Sequence, residues 1–204
     1  MSSEWLLLIY TLPSQPSRKR AYVWRELKKL GAFYLRDGVA VLPRRPDLEE
    51  RLAGIAERIV EYEGTVDLIV APHFDEGRQT EIVTRFNSER ASEYRELYHA
   101  CVRFLRDVLH EVDTDEFGFP DVDNLESELG RLGRWYGQVL ERDYFHDPSG
   151  ERVADILRKC ETAFEHFVQE ASGREAGASK HPDDVFERLG GPAGETEAES
   201  ELPL

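Results

Sequence analysis

The residues best placed to do chemistry are basic and lie early in the chain. Arg18, Lys19, Arg20, Tyr22, Arg25, Lys28 and Lys29 fall within twelve consecutive positions, and Arg44 and Arg45 follow a little later. At about 100° per residue on a helix, Arg18, Tyr22, Arg25 and Lys29 align along one side, opposite Val23, Leu27 and Leu30. Lys28 lies at the edge of that stripe. A cationic row with a tyrosine among the charges suits a phosphate backbone or another oxyanion, since each contact releases condensed counterions. The same row also suits a solvated helix face.

Other constellations are weaker. Asp113, Asp115 and Asp121 stand at the first, third and ninth positions of a twelve-residue segment with Gly118 at the sixth, as in a calcium loop. Phe117 at the fifth and Asn124 at the twelfth break the pattern, because the bidentate glutamate is missing. A solvated acidic connector is the expected reading. No phosphate-binding loop, dinucleotide glycine fingerprint, nucleophile elbow or zinc-finger spacing occurs. The six histidines are scattered, and His99 and Cys101, two apart on a helix, do not share a face. No catalytic residue, cofactor or metal is expected.

These side chains need elements to hold them. Trp5 to Leu12 is an apolar run closed by Pro13, which predicts a central strand. Ser17 is the expected N-cap of a helix over Arg18–Leu30, with Val23, Trp24, Leu27 and Leu30 on its apolar side and Gly31 as its stop. Ala32–Leu35 and Val39–Leu42 are short strand-forming runs, and the Asp37-Gly38 pair between them favours a tight hairpin. Asp47 can cap a second helix, whose Leu48, Leu52, Ile55, Ile59 and Tyr62 form one stripe ended by Gly64. Thr65–Ala71 predicts the last strand. The order strand, helix, strand, strand, helix, strand is the split arrangement of ferredoxin-like α+β sandwiches.

Beyond about Glu76 the periodicity turns helical. Ile82, Phe86, Tyr94, Leu97, Cys101, Phe104 and Val108 supply one apolar face. A loop is expected over Asp113–Asp123. A further helix carries Leu125, Leu129, Leu132 and Val139. Asp147-Pro148 reads as the cap and first position of a last helix, with Val153, Ile156, Cys160, Phe164 and Phe167. About three helices are therefore expected to pack as an antiparallel region. The expected division is an α+β domain over 1–74, a helical domain over 75–170 and an acidic tail over 171–204. Rich in Gly, Glu, Ala, Ser and Pro, that tail cannot bury enough apolar surface to order itself, apart from a short helical turn near 183–189.

Composition bounds the function classes. The chain has 204 residues and a net charge of −15. Residues 1–46 nonetheless hold nine Lys/Arg against three Asp/Glu, a net of +6, which leaves −21 for the rest. A polyanion would therefore be met through the first segment. Two cysteines, Cys101 and Cys160, exclude a disulfide scaffold and read as small buried hydrophobes. No run approaches the roughly 18–20 apolar residues of a membrane span, and Trp5–Tyr10 lacks the flanks of a signal peptide. No membrane association and a cytoplasmic location are expected.

Several segments resemble the N-terminal domain of the chromate-resistance regulators of the ChrB type. They are Trp5-Leu-Leu-Leu-Ile-Tyr10, Pro16-Ser-Arg-Lys-Arg20, Val23-Trp-Arg-Glu-Leu-Lys-Lys-Leu-Gly31 and Asp37-Gly-Val-Ala-Val-Leu-Pro43. Arg85-Phe-Asn87, Glu93-Tyr94, Arg134-Trp135 and Arg142-Asp-Tyr-Phe145 look like the same family, so the resemblance covers roughly residues 4–170. It implies a transcriptional regulator that binds promoter DNA and responds to chromate, with a sandwich similar to the middle domain of PaaX-type repressors. It also implies Arg18, Lys19, Arg20, Arg25, Lys28 and Lys29 as DNA or oxyanion contacts. Longer members continue into a second, C-terminal domain, whereas this chain is expected to end in its acidic tail. A homodimer or a separate protein supplying that domain is thus an expected partner.

Two other readings stand beside this one. The amphipathic helices and acidic tail suit a protein-interaction or dimerisation scaffold without DNA binding. An enzyme is disfavoured: a nuclease of this shape would need acids by the first strand, where Trp5–Leu12 has none. A chromate reductase would need a flavin site or reactive thiols, and neither is evident.

Overall fold

The computed structural model describes residues 4–114 and 119–175, side chains at 113–121 and 174–175 excepted. Among these residues it is a mixed α/β protein with a four-stranded antiparallel sheet and five helices. The elements are β1 (Trp5–Thr11), α1 (Ser17–Lys29), β2 (Phe33–Arg36), β3 (Val39–Pro43), α2 (Pro46–Glu61), β4 (Thr65–Ala71), α3 (Glu76–Thr114), α4 (Phe119–Leu140) and α5 (Ser149–Glu175).

The sheet order is β2-β3-β1-β4. Leu7 pairs with Val41 on one side and Ile69 on the other, so β1 is central, as its apolar run predicts. Side chains alternate across the sheet. Leu6 and Leu8 are buried in one core with Val23, Leu27, Leu52 and Ile59. Trp5 faces the opposite side and meets the rings of Phe74, Phe86 and Phe145 at 5.8, 6.3 and 5.8 Å. The Asp37-Gly38 turn is present, with Gly38 at φ +71°, and the register shifts between Tyr34 and Arg36.

Several sequence expectations need correction. Ser17 is the first residue of α1 rather than its cap; Pro16 holds the cap position, with no side-chain hydrogen bond to the free N–H groups. Asp47 likewise lies inside the first turn of α2, behind Pro46 at its start, and Arg45 is the cap. Trp24 is not a core residue but is 52% exposed. The buried stripe centres between Val23 and Leu27, and Trp24 lies about 60° past Leu27 around the axis. The expected loop over Asp113–Asp123 is shorter, because α3 runs to Thr114 and α4 begins at Phe119. Pro120 is tolerated there because the N–H groups of a helix's first turn have no intrahelical partner to lose. Helix α5 starts at Ser149, one residue after the expected Pro148. Residues 115–118 at the centre of the calcium-like segment, the tail beyond Glu175 and its helical turn near 183–189 lie outside the described residues.

The chain divides into two compact units. One comprises the chain up to Glu93 together with Val139–Asp147. The other comprises Tyr94–Gln138 and the chain from Pro148. The second unit buries Tyr94, Leu97, Cys101, Phe104, Leu132, Val153, Cys160 and Phe167. Both cysteines are free and buried, and the Cys160 thiol lies 3.5 Å from the Cys101 carbonyl oxygen. Its hydrogen bond with Cys101, together with its burial, pushes the Cys160 thiol well above the ordinary range. Among the described residues, no helix is long and apolar enough to cross a membrane.

Candidate functional site

Helix α1 is cationic from its first turn. Arg18, Lys19 and Arg20 follow Ser17 directly, no acid lies in that turn, and no side chain caps it. Backbone N–H groups and the positive end of the helix dipole therefore add to three side-chain cations. This is electrostatically unfavourable for the helix alone and favourable for an anion beside it.

The exposed side of α1 carries Arg18, Arg25 and Lys29. Arg18, Arg20 and Arg25 have no ion pair among the described residues. Lys29 donates to Glu26 Oε1 at 2.7 Å. The rest of the row is engaged elsewhere. Tyr22 is half-buried, its ring edge-on to Tyr62 at 6.0 Å. Lys19 lies 5.5 Å from the Tyr62 ring centre and 3.8 Å from a Glu63 carboxylate oxygen. Lys28 stands 3.7 Å from Glu89.

Arg44 and Arg45 belong to the other end of the sheet. The Arg44 N–H donates to the Glu4 carbonyl at 2.8 Å, and its guanidinium meets the Glu4 and Glu49 carboxylates at 3.0 and 3.2 Å. Those carboxylates hold it still more firmly protonated than usual. Arg45 pairs with Asp47 at 3.2 Å and lies over the Tyr144 ring at 5.6 Å. The Tyr144 hydroxyl donates to the Leu30 carbonyl at 2.6 Å, which ties this end to the C-terminus of α1. The nine candidate residues therefore fall into two sets: Arg18, Lys19, Arg20, Tyr22, Arg25, Lys28 and Lys29 lie along α1, and Arg44 and Arg45 lie between β3 and α2.

Sequence reasoning missed two features. Trp24 and Arg20, four apart on α1, line a recess with Tyr10, Tyr34 and Asp37; the helical offset of Trp24 from the apolar stripe was the available signal. Arg90 is the second. Only 3% exposed, it meets Glu93 at 3.2 Å, and Arg142 reaches the same carboxylate at 3.1 Å. Its Nε and Nη1 have no hydrogen-bond partner among the described residues. No group of three or more His, Cys, Asp or Glu among those residues is arranged to hold a metal ion.

Fold and geometry together define a mixed α/β protein whose first helix carries a cationic, uncapped first turn. A family model described as "Protein ChrB, N-terminal" matches residues 20–175. The chain belongs to this family. It is 30% identical over 153 residues to Protein ChrB of Cupriavidus metallidurans, a match covering 73% of this chain and 43% of that protein. The chain thus spans less than half the length of the curated relative it matches. No solved structure matches it significantly.

Proposed function

We propose that the chain is a regulator module linked to chromate or related oxyanion resistance, acting in the cytoplasm without catalysis and binding promoter DNA through α1. Family membership supports the link to chromate-resistance regulation. The observation that carries the DNA reading is the exposed alignment of Arg18, Arg25 and Lys29, two of them without an ion pair. Thirteen residues make α1, about 20 Å at 1.5 Å per residue, which is long enough to follow several phosphates. The ion pairs of Lys28, Lys29 and Arg44 are surface pairs of small worth, so a phosphate can displace them. We also read the α+β unit as ferredoxin-like: β1 and β2 flank β3, and β3 and β4 flank β1, as two interleaved split crossovers require.

The test is a fluorescence-anisotropy titration against the chain's own promoter DNA, repeated across salt and with chromate. Affinity should fall with salt, and Arg25→Glu with Lys29→Glu should lower the salt slope by about one for each phosphate-binding cation removed. Release by chromate would place the sensor in this chain. Duplex binding that survives both substitutions unchanged would refute the α1 surface.

A second reading is favoured by β4. It is an edge strand, and Leu68, Ile69 and Val70 are 36–44% exposed beside Ile9. Exposed apolar edges usually meet another chain. A partner-binding or homodimeric scaffold would show a stable complex by light scattering without DNA.

A further inference from the structure

Trp24, half-exposed on α1, borders an open recess that polar side chains also line. Its volume is about 350 Å³, at the small end of the ~300–1,000 Å³ typical of ligand sites. Four segments of the α+β unit form its walls. Helix α1 supplies Arg20 and Trp24, one turn apart. The end of β1 supplies Tyr10 and Leu12, β2 supplies Tyr34, and the hairpin turn supplies Asp37. The turn is clamped to β1 by the Tyr10 N–H, which donates to the Gly38 carbonyl at 2.8 Å. A Cβ at Gly38 would stand 2.5 Å from the Tyr10 carbonyl oxygen, so only glycine allows this closeness. The Tyr10 and Tyr34 hydroxyls share a hydrogen bond of 3.0 Å.

Arg20 and Asp37 line the same recess, yet they form no ion pair with each other or with any other described residue. A ligand that satisfies both needs an anionic group for Arg20, an N–H donor for Asp37 and a planar body for the indole. A nucleotide has all three: phosphate, ring or exocyclic N–H, and base. Arg20 sits in the uncapped first turn of α1, where the helix dipole adds to its attraction for phosphate. Stacking of bases on aromatic side chains beside a cationic track is the general means of holding unpaired nucleic acid.

We propose that this recess binds an unpaired nucleobase stacked on Trp24, with its phosphate on Arg20. The inference goes beyond duplex binding through α1 and stands on different residues, so it can hold where that binding fails. Its source is either a free nucleotide or a single-stranded segment.

Intrinsic fluorescence and calorimetry of the full chain test it, with deoxyadenosine monophosphate and a short oligodeoxyadenylate as probes. Trp5 is fully buried and Trp135 half-buried, so the part of the quenching that is lost in Trp24→Phe is the part that reports on Trp24. Trp24→Ala should weaken binding about tenfold or more. Arg20→Met should weaken the monophosphate but not deoxyadenosine. Thermal melts confirm that each variant is folded. An oligonucleotide bound more tightly than the monophosphate identifies a strand as the ligand, and equal affinities identify the free nucleotide. Absence of quenching by both probes, or unchanged affinity in Trp24→Ala, overturns the proposal. Loss of duplex binding in the Arg25 and Lys29 variants leaves these readouts untouched.

Discussion

Tyr34 shows how a single hydroxyl couples this fold to pH. Burial raises its ionisation above the ordinary 10.0, and the hydrogen bond with Tyr10 adds to the shift. Above that value the unfolded chain loses this proton while the folded chain keeps it. Protons then favour the folded state, so stability is fully present below about pH 10 and declines as pH rises further. Tyr144 contributes in the same direction through its own burial. Urea midpoints measured on both sides of pH 10 should therefore fall with pH, and Tyr34→Phe should make that fall shallower without removing it. An identical decline in the variant would sink the assignment. Arg90 is a different case at the same scale. With its guanidinium buried against Glu93, it is costly to desolvate and still more costly to leave unpaired. Gly31, at φ +67°, makes room for it: a Cβ there would lie 3.0 Å from Arg90 Nη1 and 3.1 Å from Arg142 Cβ.

Helix α1 carries a conflict between stability and the use proposed for it. Its first turn places cations against the positive end of its own dipole. Arg18→Glu should stabilise the protein by about 0.3–1 kcal/mol, read as a higher urea midpoint, while weakening duplex DNA in the anisotropy assay. A variant that neither gains stability nor loses affinity would remove the electrostatic argument for this turn. At this scale the sequence is most legible. The apolar run Trp5–Thr11 and the stripe Leu48, Leu52, Ile55 and Ile59 reveal strand and helix directly, because their patterns differ and every turn between them carries Gly or Pro. The coarse α/β architecture follows from that order. What periodicity hides is the partner of each charge. Lys19 meets Glu63, Lys28 meets Glu89 and Arg44 meets Glu4, and all three pairs join residues remote in sequence. The row on α1 is visible in the sequence as a row, but which of its members remain unpaired is not. Trp24 is a different case: its offset of about 60° from Leu27 puts it at the margin of the amphipathic stripe, and that offset is legible in the sequence.

Across the whole molecule, sequence order and spatial grouping part company. The chain leaves the α+β unit after Glu93 and supplies Val139–Asp147 to it again after α4. The returning segment holds Arg142, Tyr144 and Phe145, the same residues that carry part of the family resemblance. Arg142 reaches Glu93, Tyr144 bonds Leu30 at the end of α1, and the Phe145 ring lies 5.4 Å from that of Phe86 and 5.8 Å from that of Trp5. Asp143 shapes the segment by accepting the Asp147 N–H at 3.0 Å. Motifs scattered over residues 5, 86, 93 and 142–145 are thus one packed cluster, which no local pattern in the sequence could disclose. The consequence is that the stability of the α+β unit depends on a stretch about fifty residues beyond its main segment. Phe145 is half-buried, so Phe145→Ala should cost about 2 kcal/mol, below the ~3–5 kcal/mol of a fully buried ring. The loss should appear as a lower urea midpoint together with a changed near-ultraviolet signal from Trp5, whose ring it covers. If the midpoint falls while the Trp5 environment stays unchanged, the returning segment does not close the sheet. Its role would then lie elsewhere in the chain.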